Sequence, residues 1–392
     1  MNHPPNVPPE PSTTLKVGLV HDYFTQRGGA ERLVERMAAL YPEASMFTSV
    51  VDPPEAPNSI DPRRIVTSRL QRLFAAGVPL KALAPLMGSA LGALDLGDLD
   101  VVVSSSSSVA HRVQPRLGTV HICYCNTPAA FLYRPEYYAG NRIGRVVMAP
   151  AISWMRRGDR KAAARVDRYI ANSQFTAARI RASYGITADG LHPAIDTDSF
   201  SPSNEESGRF LVVSRLRPHK AIDLAVAAAN LHGLPLDIIG EGSDRHRLQA
   251  LAGPTVRLLG WQSDADVALA MARCVALVVP GIEDFGMVSA EVQAAGRPPI
   301  GAAIGGTAEI VSDGVTGFLV ADRTAAGFGK AMLRAQSERL DPGVLVASAK
   351  RFDLGAFGGS LRRFVDEAVD RVVNRAANDS NPDPLTAGGV VR

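Results

Sequence analysis

The chain has 392 residues, 46% of them hydrophobic and 21% charged, with a net charge of +3, which excludes a disordered or fibrous chain and leaves room for two globular domains. Three cysteines, Cys123, Cys125 and Cys274, exclude a disulfide framework, and no apolar run reaches the roughly 18 residues of a membrane span. A cytoplasmic protein is expected. Residues 1–14 are proline-rich, without the basic start or apolar centre of a signal peptide, and read as a disordered leader.

Residues 15–21 (LKVGLVH) form a strand signal, followed by a loop with Gly28 and Gly29 and by a helical stripe of Leu33, Val34, Met37 and Leu40. A glycine pair placed between a first strand and a helix lets backbone approach a ligand at the helix N-terminus, or makes a plain tight turn. It lacks the G-x-G-x-x-G spacing of a dinucleotide site. Strands are expected at 45–51, 100–104 and 119–124, with the serine run 104–108 forming a loop after its strand. Asp98 and Asp100 have D-x-D spacing but precede a strand, which puts them on the wrong sheet edge for a metal. Asp196 and Asp198 share the spacing and lie in the approach to a linker. His121, Cys123 and Cys125 alternate on one strand face; small buried cysteines in a strand fit core better than a metal site.

Residues 101–181 carry 13 Lys and Arg against Glu136, Asp159 and Asp167, densest at Arg156, Arg157, Arg160 and Lys161. This is either a solvated helix face or a surface for an anionic bilayer; with no nucleic-acid-binding motif in it, no nucleic-acid partner is expected. A helix is read at 159–166, a strand at 168–171, and a helix at 174–184 capped by Asn172 and Ser173. Residues 15–196 form a first Rossmann-like domain and the polar stretch 197–208 a linker. Alternating strands and helices then run through 209–355, a second parallel α/β domain. A last helix is expected at 356–375 and a disordered tail at 376–392.

Three loops of the second domain follow strands and share one sheet edge. SRLRPHK supplies Arg215, Arg217, His219 and Lys220, GEGS supplies Gly240 and Gly242, and residues 281–298 supply Glu283 and Glu291, eight residues apart on a loop and a helix. Cations and helix N-termini suit a diphosphate, and the two carboxylates suit hydroxyls on either side of it.

The succession SRLRPHK, IIGEGSD, LLGW and GIEDFGMVSAEVQAAGRPPI resembles the retaining GT-B glycosyltransferases of glycosyltransferase family 4. RVDRYIANSQFTAARIRASYGI and SRLRPHKAIDLAVAAAN are most similar to the mannosyltransferases of surface polysaccharide and glycolipid assembly. The resemblance implies a GT-B fold, two Rossmann-like domains facing across a cleft, with the last helix crossing back to the first. It implies that Arg215 and Lys220 bind the donor diphosphate in place of a metal, with no cofactor. Glu283 would contact the donor sugar with help from the backbone of Phe285, Gly286 and Met287, Glu291 would hold the ribose, and Gly28 and Gly29 would lie beneath the phosphates.

Asn126 stands where the resembled enzymes usually carry His, in the sequence Cys125-Asn126-Thr127-Pro128, and amide chemistry cannot exchange a proton near neutral pH. His111 and His192 are the candidate substitutes. The expected donor is GDP-mannose first and UDP-glucose second, and the acceptor a saccharide or lipid-linked saccharide. The rival readings are a nucleotide-sugar epimerase of the same fold and a non-catalytic nucleotide-sugar binder.

Overall fold

The computed structural model describes residues 15–134 and 142–380; the expected leader and residues 381–392 of the expected tail lie outside them. Two parallel sheets are formed. The first contains β1 (Val17–His21), β2 (Ser45–Thr48), β3 (Ile65–Thr67), β4 (Val101–Ser106), β5 (Val120–Cys125), β6 (Arg168–Ala171) and β7 (Asp189–Gly190), in the order β3-β2-β1-β4-β5-β6-β7. The second contains β8 (Phe210–Val213), β9 (Leu236–Ile239), β10 (Val256–Gly260), β11 (Leu277–Val279), β12 (Pro299–Ala302) and β13 (Phe318–Val320), in the order β10-β9-β8-β11-β12-β13. Parallel strands covered by helices on both faces read as apolar runs, and the buried Val101, Val102 and Val103 of β4 show it.

The chain order reverses between β1 and β4 in the first sheet and between β8 and β11 in the second. Ligands of open α/β sheets bind in the crevice outside the strand ends at such a reversal. The Gly28–Gly29 loop leaves β1, while the Arg215 and Glu283 loops leave β8 and β11, so the topology alone assembles the candidate loops at the two switch points.

The serine run departs from expectation. Ser104, Ser105 and Ser106 continue β4 and are buried. Their hydroxyls find partners inside the domain, Ser104 with His121 Nε2 at 2.9 Å and Ser106 with His111 Nδ1 at 3.2 Å. Burial pushes His121 down to about 3, so it serves as a neutral hydrogen-bonding partner. Cys123 and Cys125 pack with Ala163, Tyr169, Ala171 and Ile180.

The stretch 197–208 begins with a short turn at Thr197–Ser199 and is pinned to the second domain. Glu205 pairs with Arg273, and Glu206 with Arg297 and Arg339. The last helix, Leu354–Ser380, runs on into the stretch expected to be a tail. It packs on the first domain: Phe357, Leu361, Val365 and Ala368 are buried with Leu33, Met37 and Tyr124. Arg168 fixes it from the side, 4.4 Å over the Phe364 ring and 3.0 Å from Glu367. The chain therefore crosses between domains twice, and the crossings touch where the Ile195 N–H donates to the Phe352 carbonyl at 2.7 Å.

Because the terminal helix completes the first domain's core, Leu361→Ala, at a fully buried position, is expected to cost about 2–5 kcal/mol. Urea unfolding followed by far-UV circular dichroism should register the loss.

Candidate active site

The Arg215 loop follows β8, and two glycines of the loop after β9 allow the two loops to approach each other. A side chain at Gly240 (φ +130) would lie 1.9 Å from the Ser214 carbonyl oxygen, and one at Gly242 (φ +158) 2.2 Å from that of Leu216. These glycines thus let the loop after β9 lie directly under the Arg215 loop, where the Leu216 N–H donates to the Glu241 carbonyl at 2.8 Å.

Beside it, Glu283 stands on the loop after β11 and takes both oxygens to Lys220 Nζ, at 2.9 and 2.7 Å. Their side chains are 17% and 21% exposed. Burial pushes the Glu283 carboxyl upward, but Lys220, His219 and Arg215 together hold it below the usual range. Burial, then the charge of Lys220, lowers His219 to about 4. The loop ends at Gly286, which enters the helix Met287–Ala294 with φ +98. The hydroxyls of Thr307 and Ser289 lie under this turn, buried and without a hydrogen-bond partner among the described residues. Phe285 is buried against His192 and Phe352 at centroid distances of 5.3 and 5.4 Å, so its side chain packs the interdomain crossing.

The first domain meets this surface directly. Gly29 faces Met287 so closely that a side chain there would sit 2.6 Å from the Met287 sulfur. Arg32 Nη1, on the helix Gly29–Leu40, reaches Glu291 Oε1 at 3.2 Å, and the Glu291 side chain is only 4% exposed. Arg215 Nη1 donates to Gln26 Oε1 in the glycine loop. Gln26 in turn donates to Glu31 at 3.1 Å, and Glu31 lies 3.8 Å from His21 Nε2. Burial disfavours charge on both His21 and Glu31, yet their mutual attraction prevails and raises His21 while lowering Glu31. Gly28, Gly29, Arg215, Lys220, Glu283, Met287 and Glu291 are thus gathered at one cleft. Gly240 and Gly242 support the Arg215 loop.

Asn126 lies at the end of β5. Its Nδ2 donates to Ser105 Oγ at 3.0 Å and its carbonyl accepts from Asn172 Nδ2 at 2.9 Å. Neither substitute histidine joins the cleft carboxylates. His111 is buried 3.2 Å from Asp159, and His192 lies 3.6 Å from Glu309. Asp98 pairs with Lys16 at 3.5 Å and Asp100 accepts the Lys16 N–H at 2.8 Å, on the edge where β4 begins. Asp196 accepts from the Ser199 hydroxyl at 2.7 Å. Among the described residues no group of His, Cys, Asp and Glu has metal-holding geometry.

Several residues of the site were not anticipated. Gln26 and Arg32 flank the glycine pair in sequence, and a cation one turn into a helix behind a ligand-type loop was a readable signal. Asp22 is buried and accepts the N–H groups of Ser107, Val109 and Ala110, each at 2.6 Å, fixing the loop after β4. Nothing local in the sequence marks that pairing.

Residues 27–199 match the family model described as Glycosyltransferase Family 4, and residues 195–351 match that described as Glycosyl transferases group 1. The D-inositol 3-phosphate glycosyltransferase of Mycobacterium tuberculosis is 31% identical over 189 residues, covering 42% of this chain and 39% of that protein; the match therefore spans well under half of the curated relative. The sucrose-phosphate synthase of Thermosynechococcus elongatus superposes with a TM-score of 0.68 at 19% identity, covering 91% of this chain and 100% of that one. Anabaena HepE, solved in complex with UDP, gives 0.64 at 17% identity over 90% and 100%. At those identities the structures speak for the fold. The chain therefore has the GT-B fold, and its two domains match, in order, the Glycosyltransferase Family 4 and the Glycosyl transferases group 1 models.

Proposed function

We propose that the protein transfers a hexose from a nucleotide diphosphate sugar to a saccharide or lipid-linked acceptor, with retention at the anomeric carbon and with Arg215 and Lys220 in place of a metal ion. The observation that carries this reading is the cross-cleft gathering of two cations, two carboxylates and a glycine loop. In this reading the anomeric carbon–phosphate oxygen bond breaks as the acceptor oxygen bonds to the same face of the sugar. The acceptor proton passes to the leaving phosphate oxygen. Arg215, Lys220 and the start of the helix Met287–Ala294 hold the charge that develops on the diphosphate, fixed before the reaction and so effective without reorganisation.

The ion pairs then act as placeholders. Lys220 releases Glu283 when phosphate oxygens arrive, freeing the carboxylate for sugar hydroxyls, and Arg32 releases Glu291 for the ribose. Asn126 orients the acceptor and moves no proton. Mannose from GDP-mannose follows from the sequence resemblance; glucose from UDP-glucose is favoured by Anabaena HepE, solved with UDP-glucose. Both donors belong in the first assay.

Contact with an anionic bilayer is part of the same reading. On the helix Arg142–Ala163, Arg156 and Arg160 turn inward to the carbonyls of Leu132 and Ser183, where they cap the ends of neighbouring helices. Trp154, 73% exposed, with Arg157 and Lys161 at helical spacing on the same face, would meet the surface. No helix among the described residues is long and apolar enough to cross a membrane.

A nucleotide-sugar panel offered with saccharide acceptors should give transfer that EDTA leaves unchanged, and Glu283→Ala should lower kcat by on the order of a hundredfold; a requirement for Mg²⁺, or full activity of the variant, refutes the mechanism. A new nucleotide sugar with no transfer would identify the epimerase. Lys220→Met should destabilise the protein by about 2 kcal/mol at pH 7, between the values for exposed and buried pairs. Because the folded Glu283 carboxyl sits below its ordinary 4.5, the pair's contribution is present above that value and lost as pH falls through the folded one. The gap in Tm between wild type and variant should therefore close on acidification below about pH 4.5. Replacing Trp154, Arg157 and Lys161 by Ser should abolish sedimentation with phosphatidylglycerol vesicles and leave nucleotide binding intact; unchanged sedimentation would make the face merely solvated.

A further inference from the structure

One helix of the first domain touches both sides of the cleft. Asn172 and the cap Ser173 precede the helix Gln174–Tyr184, and Thr176 and Arg179 follow three positions apart on one face of it. Asn172 holds the carbonyl of Asn126 at 2.9 Å. Ser173 Oγ donates to the Asp284 carbonyl, with Thr176 Oγ1 3.5 Å from the same oxygen. Glu309, from the second domain, accepts the N–H groups of Gln174 and Phe175 at 2.9 and 2.8 Å, satisfying donors that a helix start leaves free.

Arg179 joins these contacts. Its Nη1 donates to Thr127 Oγ1 at 2.7 Å and also to the Asp284 carboxylate, and its side chain is 14% exposed. Thr127 follows Asn126, and Asp284 follows Glu283. A single guanidinium nitrogen therefore bridges the residue next to the acceptor-side amide and the residue next to the donor-side carboxylate. The Thr127 bond lies within the first domain, whereas the Asp284 bond joins the two domains. Charge-assisted bonds of this kind are short and directional.

We propose that Arg179 is a positioning residue: it sets the loop 126–128 in register with the loop 283–287 on closure, so that occupation of the donor side orders the acceptor side. This rests on the donor reading above. Arg179 touches no reacting atom in it. A displacement of about 1 Å between reacting groups is enough to lower a rate on the order of a hundredfold, which is why such a register matters.

The test is hydrogen exchange on the full chain with and without saturating UDP-glucose or GDP-mannose, read at 126–129 and at 283–287. In the wild type both segments should slow. In Arg179→Ala and in Thr127→Val, 283–287 should slow as before and nucleotide-sugar affinity should stay within about twofold. The slowing at 126–129 should fall roughly tenfold, the change expected of one charge-assisted hydrogen bond. Arg179→Lys should restore part of it. Undiminished slowing at 126–129 in both variants overturns the proposal. Slowing of neither segment in the wild type, with either nucleotide sugar, overturns the donor reading and this proposal with it, by a different signature. If Arg179→Ala proves unfolded by circular dichroism, Thr127→Val, which keeps the helix and its ion pair, decides alone.

Discussion

A carboxylate removed from water needs a cation or donors beside it, or it gives up its charge. The cleft of this protein is built around two carboxylates under that constraint. Glu291 is almost wholly buried and finds Arg32 in the opposite domain; Glu283 finds Lys220 on the neighbouring loop. One pair ties domain to domain and the other ties strand end to strand end. Together with Arg215 on Gln26, they give each charged group at the interface a partner of opposite charge or a hydrogen bond. A polar ligand that supplied hydroxyls and phosphates would exchange partners with these groups at little electrostatic cost, since each charge already has one.

The arrangement works only because backbone approaches closely at chosen places. Gly240 and Gly242, beneath the backbone of Ser214 and Leu216, leave no room for a Cβ, and Gly29 lies against the Met287 side chain. The glycines read in the sequence as ligand-facing therefore divide into two kinds. Gly29 brings the domains together, whereas Gly240 and Gly242 shape the loop that carries Arg215. Phe285 divides in the same way, its side chain packing against His192 and Phe352 while the backbone continues toward the cleft.

Much of this was legible. Apolar runs alternating with helical stripes gave the two parallel sheets, and strand-end loops rich in Arg, Lys, Glu and Gly marked the cleft. The switch points then follow from strand order, which no local pattern encodes. The serines of β4 misled because a serine run resembles a loop until its partners are known; the ladders to β1 and β5 make it strand, and His121 and His111 meet its hydroxyls. In the basic segment, Arg156 and Arg160 answer helix-end carbonyls of other elements, pairings that a count of charges does not reveal. Pairings such as Arg32 with Glu291 span 259 positions and are invisible to any reading by window.

The terminal helix has a consequence for the order of assembly. Phe357, Leu361, Val365 and Ala368 belong to the first domain's core, yet they leave the ribosome after every strand of the second sheet. The second domain has all of its strands and can fold as synthesis proceeds, while the first must wait with an open apolar face. The half of the molecule made first is the half finished last.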